Sequence, residues 1–311
     1  MNPAAELIAV RFALYVDLML VFGLPLFALY SRLSQPNKGD DIASPLAVSV
    51  LAVTGAGLSI FGLLLIAAVM SDLPLFELNR ESVDGLLNGT MIGTAGKVRT
   101  AALFMAALLS LWSASRQRTR WALQSCAGAI ALATLAWTGH GAADEGPRGL
   151  VHLAADIVHL LAAGVWVGAL AGLLLLILHT GNVGTCRKDR VTVVHRALAG
   201  FAAVGTASVG LIVLTGLLNS WFLVGFANIG KLASSLYGRL LLGKLVVFAA
   251  MLGLAGLNRW KLTPAIAMAG ASGASGAMRS VRQSVTLEAC MAIIVLGLVA
   301  WLGTLAPPLS G

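Results

Sequence analysis

The chain has 311 residues, of which 58% are hydrophobic and only 11% are charged, and its mean hydropathy is +0.89. This composition excludes a soluble globular domain, which would need a more polar surface. The formal net charge of +8 therefore bears on membrane orientation and does not indicate nucleic-acid binding. Three cysteines without disulfide-like spacing argue against a secreted disulfide framework.

Eight apolar runs are each long enough to cross a bilayer, whose hydrocarbon core of about 30 Å needs about 20 helical residues. The predicted fold is therefore all-α, a polytopic membrane protein with a bundle of eight transmembrane helices. We expect a single membrane domain over residues 1–311, with helices 1–4 in residues 1–140 and helices 5–8 in residues 150–305. The predicted spans are 7–30, 46–70, 91–112, 121–140, 150–179, 198–222, 237–257 and 284–305.

Lysine and arginine are concentrated in alternate connections, which predicts the orientation of the chain. Connections rich in these residues are cytoplasmic by the positive-inside rule. They follow the first, third, fifth and seventh spans and contain Arg32, Lys38, Arg116, Arg118, Arg120, Arg187, Lys188, Arg190, Arg196, Arg259, Lys261, Arg279 and Arg282. The opposite connections are acidic, with Asp72 and Glu77 after the second span and Asp144 and Glu145 after the fourth. Both termini are then expected on the outer side.

The fifth span opens with two imidazoles and a carboxylate at helical spacing. Offsets of four and seven residues return to the same side of a helix, so His152, Asp156 and His159 are expected on one face. Ionisable groups in hydrocarbon are costly and mark functional sites, and the chain has only five histidines. We interpret the stripe as a site for a metal ion or proton, with interfacial anchoring as the alternative.

His140, at the outer end of the fourth span, extends this candidate site. Its connection to His152 is short, so the two helix ends are expected to be neighbours. His152 and His159 are about 10 Å apart along the helix axis, and metal–nitrogen bonds are about 2 Å long. One ion cannot easily take both, so one histidine must pair with a ligand from another helix. Asp156 either binds the ion or orients an imidazole. One site and two sites in sequence both fit this spacing.

The inner half of the membrane contains different candidate ligands. Cys126 and Cys290 lie near the inner starts of the fourth and eighth spans, and His195 lies beside a cytoplasmic connection. Imidazole suits copper, zinc, iron and nickel, whereas thiolate favours Cu(I). A change from His and Asp outside to Cys inside fits a copper ion moving toward a reducing compartment, with these three residues as exit ligands. The alternative is that the thiols are small buried hydrophobic groups.

Several short motifs occur in one order along the second half of the chain. They are residues 152–168 (HLAADIVHLLAAGVWVG), 214–219 (LTGLLN), 237–244 (YGRLLLGK), 257–259 (LNR) and 302–304 (LGT), preceded by 138–141 (TGHG). With these motifs on eight helices, the chain resembles the copper resistance protein D (CopD) family of bacterial inner membranes.

The resemblance implies a periplasm-facing copper protein, with both termini periplasmic in the orientation predicted above. The family is associated with moving copper into the cytoplasm, together with a small periplasmic copper carrier of the CopC type. The expected partners are therefore this carrier and the lipid bilayer. The family's histidine and aspartate motif maps onto His152, Asp156 and His159. Other matching positions, which we interpret as helix packing and charge pairing, are Asn219, Tyr237, Arg239, Lys244 and Asn258.

Three functions are open at this point. The first is copper transport from periplasm to cytoplasm, driven by ion gradient, membrane potential or protons, because no nucleotide-binding motif is present. The second is a b-type haem protein with His140 and His159 as axial ligands. The third is a copper chaperone or assembly factor that binds the ion without transporting it. An enzyme is not expected, because the sequence shows no nucleophile–base motif.

Overall fold

A computed structural model of the chain describes residues 3–31, 43–112, 116–139, 146–182, 187–268 and 274–306. Every regular element in these ranges is helical, which confirms the predicted all-α class. The α-helices are α1 (Pro3–Tyr30), α2 (Pro45–Ser71), α3 (Arg80–Gly89), α4 (Met91–Leu109), α5 (Gln117–Ala133), α6 (Gly146–Asn182), α7 (Arg187–Val224), α8 (Leu236–Leu257), α9 (Thr263–Met268) and α10 (Ala274–Leu302). A π-helical turn, Asn258–Leu262, joins α8 to α9.

Seven helical stretches in the described residues are long and apolar enough to cross a membrane, so the chain is a multi-pass membrane protein. They are Ala5–Tyr30, Pro45–Ser71, Met91–Leu109, Gly146–Leu178, Val193–Val224, Leu236–Leu262 and Gly276–Leu302. The remaining predicted span corresponds to α5, which has only 17 residues and continues as a 3-10 helix, Thr134–Thr138. Eight crossings therefore stay a prediction.

Several helices extend beyond the predicted spans into the connections. α7 begins at Arg187 and α10 at Ala274, each about three turns before the predicted start. The connection after α2 contains the short helix α3, whose first turn is capped by the Asn79 side chain accepting from the Ser82 amide. Hydropathy detects only the part of a helix inside hydrocarbon, whereas the helical backbone bonds continue into polar sequence.

α1 lies at the centre of the bundle and contacts α2, α5, α6 and α10. The part of α1 that contains Leu18 and Val21 belongs to the core shared with α2, α4 and α5. Its Phe27 belongs to the core shared with α6, α7, α8 and α10. α1 therefore joins the N-terminal helices to the group that contains the candidate ligands.

Glycines allow α1 and α6 to touch backbone to backbone. A Cβ atom on Gly23 would lie 2.6 Å from the Cα of Gly168 and 2.5 Å from the carbonyl oxygen of Gly164. Such close approach of small residues is the main way that helices associate in lipid, where packing replaces the hydrophobic effect. The position of α6, and of the ligands on it, depends on this crossing.

Replacing Gly168 by valine is therefore expected to separate α1 from α6 and lower the thermal unfolding temperature of the detergent-solubilised protein. Overpacking of this kind costs about 1–3 kcal/mol. The matched control is Gly57→Val on α2, where a Cβ atom would meet nothing within 4 Å. Unfolding can be followed by tryptophan fluorescence. Equal unfolding temperatures for the two variants would contradict this account of the crossing.

Candidate metal site between α6 and α7

The three candidate ligands on α6 all face α7. Each contacts a different side chain of that helix, and the pairs are His152 with Phe222, Asp156 with Asn219, and His159 with Thr215. The partner numbers fall as the ligand numbers rise, because the two helices run antiparallel. The predicted single face is confirmed, and it forms one continuous seam between α6 and α7.

His159 is held by the hydroxyl group of Thr215. Its Nδ1 atom lies 2.9 Å from Thr215 Oγ1, and the same hydroxyl donates its one proton to the Leu211 carbonyl oxygen at 2.5 Å. We infer that the imidazole donates from Nδ1, because the hydroxyl proton is already used, and a backbone hydrogen bond of His159 with Ile212 belongs to the same network. In the neutral ring the lone pair is consequently on Nε2, the form in which histidine binds metals. The ring lies against Gly216, where a Cβ atom would make an ordinary van der Waals contact with His159 Cε1 at 3.4 Å.

Asp156 is held by the side-chain amide of Asn219. Asn219 Nδ2 donates to Asp156 Oδ1 at 2.6 Å, so the amide oxygen of Asn219 points away from the carboxylate. That oxygen is buried and has no hydrogen-bond partner among the described residues. An unsatisfied buried acceptor is costly. Together the two side chains present carboxylate and amide oxygens, which are suitable donors to a cation.

Lys244 brings an ionisable amino group to the seam from a third helix, α8. It interacts electrostatically with both Asp156 and His159. Asp156 also interacts with His152, which is 1% exposed. The carboxylate therefore lies among several cationic or potentially cationic groups, and its charge helps to stabilise all of them.

His152 forms the end of the seam nearest the start of α6, which is the predicted outer end. Its ring stacks on Phe222 with ring centroids 4.7 Å apart and an angle of 15° between the planes. The Arg148 guanidinium lies 5.7 Å from the centroid of the same phenylalanine ring. Stacking covers a face of the imidazole but not its edge, where the nitrogen lone pairs and protons lie.

The end of the 3-10 helix after α5 reaches the same place. A Cβ atom on Gly139 would lie 3.5 Å from Asp156 Oδ2. The expected proximity of the two helix ends is confirmed at Gly139, while His140 itself lies outside the described residues. Within the described ranges, no group of three or more His, Cys, Asp and Glu side chains could hold a metal ion. His140 therefore stays the predicted additional ligand.

The predicted exit ligands are dispersed over three helices. Cys126 on α5 and Cys290 on α10 are both exposed on the surface of the helix bundle. α1 packs against both of their helices. His195 lies near the start of α7 and is partly buried. The exit role of these residues stays a prediction.

Two further site residues lie on α7. The sequence-based interpretation missed Thr215 and assigned Asn219 to helix packing and charge pairing. Uncharged polar side chains are common in membrane helices and carry no strong signal alone. Their spacing does carry one, because residues 215, 219 and 222 have the same offsets, four and then three, as residues 152, 156 and 159. Two matching stripes on successive spans are typical of helices that face each other.

Two family models match the chain. Residues 1–150 match "Copper resistance protein D-like, N-terminal domain", and residues 195–302 match "Copper resistance protein D". Copper resistance protein D of Pseudomonas syringae pv. tomato is 42% identical over 305 residues, which are 97% of this chain and 97% of that protein. The chain belongs to the copper resistance protein D family. The resemblance predicted from the motifs is thereby confirmed.

Copper transport protein CutJ of Bacillus subtilis (strain 168) is a second relative of this chain. It is 30% identical over 182 residues, which are 56% of this chain and 32% of that protein. No solved structure matches the chain. The ligands on α6 lie between the two segments matched by family models, whereas their partners on α7 lie inside the second.

The tautomer of His159 can be tested by nuclear magnetic resonance of the protein labelled with ¹⁵N-histidine, since only five imidazoles are present. We expect His159 to show a protonated Nδ1 and an unprotonated Nε2. Thr215→Val should weaken this preference, because it removes the hydroxyl, while Thr215→Ser should preserve it. A protonated Nε2 in the unmodified protein would show that the assigned network is wrong.

Proposed function

We propose that the chain transports copper across the bacterial inner membrane, from the periplasm to the cytoplasm, through the seam between α6 and α7. Membership of a copper resistance family supports copper as the ion. The observation that carries the proposal is the pairing of Asp156 and His159 with Asn219 and Thr215, which places oxygen and nitrogen donors together inside a membrane-spanning bundle. The donor of the ion is a small periplasmic copper carrier of the CopC type.

In this proposal the ion binds Nε2 of His159 and the carboxylate of Asp156, with the amide oxygen of Asn219 and His140 completing the site. The nearby Lys244 opposes the added positive charge and keeps binding weak enough for release. Transport requires that balance, since an ion must enter a site readily and also leave it. An ion that enters from the periplasm meets His152 first, because this residue lies at the outer end of the seam.

The proposed topology has eight crossings and two periplasmic termini. α5 and its 3-10 continuation contain 17 and 5 residues, which together rise about 35 Å and exceed a hydrocarbon core of about 30 Å. Basic residues in the alternate connections support the same orientation. The seam then opens toward the periplasm, and a negative interior draws a cation inward by about 2.3 kcal/mol per charge per 100 mV.

Copper uptake into proteoliposomes of known orientation tests the proposal. Asp156→Asn and His159→Ala should abolish uptake, because each removes a donor to the ion, and His140→Ala should lower it. Thr215→Val should weaken copper binding by about 10–100-fold, the usual effect of losing a group that orients a ligand. Thr215→Ser is the matched control and should keep the affinity of the unmodified protein.

Two results would overturn the transport proposal. Copper that binds but never accumulates inside the vesicles would support a chaperone or assembly factor. A Soret band that shifts on reduction would support a b-type haem protein.

The same vesicles test the exit ligands, because Cys126→Ser with Cys290→Ser should leave copper binding unchanged and slow copper release. If the double variant releases copper at the normal rate, the two thiols are not exit ligands.

A further inference from the structure

The pairing of a carboxylate with an asparagine occurs a second time, between α8 and α10. Glu288 of α10 is 2% exposed, and its Oε1 accepts a hydrogen bond from Nδ2 of Asn258, at the end of α8. The amide oxygen of Asn258 is buried without a hydrogen-bond partner among the described residues. Asn219 beside Asp156 has the same arrangement. Both pairs therefore combine a carboxylate with a neighbouring amide oxygen that has no hydrogen-bond partner in the described part of the chain.

The second pair faces a cavity of about 450 Å³ between α6, α7, α8 and α10. A water molecule occupies about 30 Å³ of liquid, so the cavity can hold a hydrated cation. Trp166 lines the same cavity, is 2% exposed, and its Nε1–H is buried without a partner among the described residues. The lining of the cavity is otherwise mostly apolar. The buried donor on α6 and the buried acceptor beyond the end of α8 are therefore exceptions that indicate a polar occupant beside them, because such groups are normally satisfied.

The cavity continues the seam toward the cytoplasm. Trp166 lies seven residues beyond His159 on α6, which is two turns or about 10 Å along the helix. Asn258 directly follows α8 beside Arg259, on the predicted cytoplasmic side, whereas Glu288 lies at the middle of α10, six residues beyond Arg282. A cation leaving His159 along α6 therefore reaches this cavity next.

The charge of Glu288 is not neutralised by the one arginine that lines the cavity. Arg259 donates hydrogen bonds to the carbonyl oxygen of Ala202, at 2.7 Å, and to the Thr206 hydroxyl. Among the described residues the hydrogen-bond partner of the Glu288 carboxylate is the neutral amide of Asn258. A carboxylate in hydrocarbon without a cationic partner is costly, and a bound cation would stabilise it.

We propose that Glu288 and Asn258 form an inner station for the transported cation, with carboxylate and amide oxygens as its ligands. The identity of the ion as copper rests on the proposed function, whereas the station itself rests on the cavity and its unsatisfied polar atoms. Carboxylate and carbonyl oxygens suit hard divalent cations, and oxygen donors also take part in Cu²⁺ sites. The inner station therefore differs from the outer seam, where imidazole nitrogen contributes.

Electron paramagnetic resonance of Cu²⁺ added to the purified full chain in detergent separates the two stations. The outer seam should give a signal with nitrogen hyperfine coupling from imidazole, and the inner station a signal without it. Glu288→Gln should remove the nitrogen-free signal and leave the nitrogen-coupled one. Asn258→Ala keeps the charge but removes one of the two proposed oxygen ligands. It should weaken Cu²⁺ binding at the inner station by at least about tenfold, the smaller effect known for groups that only orient a ligand.

Asp84→Asn is the matched control, because Asp84 also accepts from an asparagine, Asn88, at 2.6 Å but is exposed on α3. This variant should leave both signals unchanged. A nitrogen-free signal that survives Glu288→Gln and Asn258→Ala would overturn the inner station and leave the outer seam standing. Conversely, a Glu288-dependent signal without any nitrogen-coupled signal would support the inner station and remove the outer one.

Discussion

The hydrogen bond from Asn219 to Asp156 is the interaction on which the rest of this arrangement depends. A carboxylate between two membrane helices needs a donor, and the amide supplies it at 2.6 Å. The same contact sets the register of α6 against α7, so that His159 meets Thr215 and His152 meets Phe222. One polar pair therefore determines both the alignment of the helices and the direction in which the imidazoles present their nitrogen atoms.

The surrounding bundle holds this pair through close packing. The glycine contact between α1 and α6 brings the backbones together and leaves no room for α6 to shift. The small residues thus fix the position of α6, and the polar residues fix the orientation of the ligands on it. The two sets of contacts are independent, because the glycines face α1 whereas the ligands face α7.

Much of the fold could be predicted from hydropathy, because hydrocarbon requires long apolar helices. The shorter α5 and the polar extensions of α7 and α10 were less predictable, since their helical bonds do not depend on apolar side chains. The shared face of His152, Asp156 and His159 followed from helical geometry alone. The roles of Asn219 and Asn258 did not, because only the folded bundle shows which carboxylate each amide meets. The exposure of Cys126 and Cys290 likewise depends on how each helix is rotated in the bundle.

Membership of the copper resistance protein D family and the geometry of the seam lead to one central claim, that copper binds where His159 and Asp156 face α7. X-ray diffraction from crystals of the copper-loaded protein, measured at the copper absorption edge, tests it most directly. The account predicts an anomalous peak within bonding distance of His159 Nε2 and the Asp156 carboxylate. Copper located only elsewhere, with the Asp156–Asn219 pair unchanged and no ion beside it, would contradict the claim.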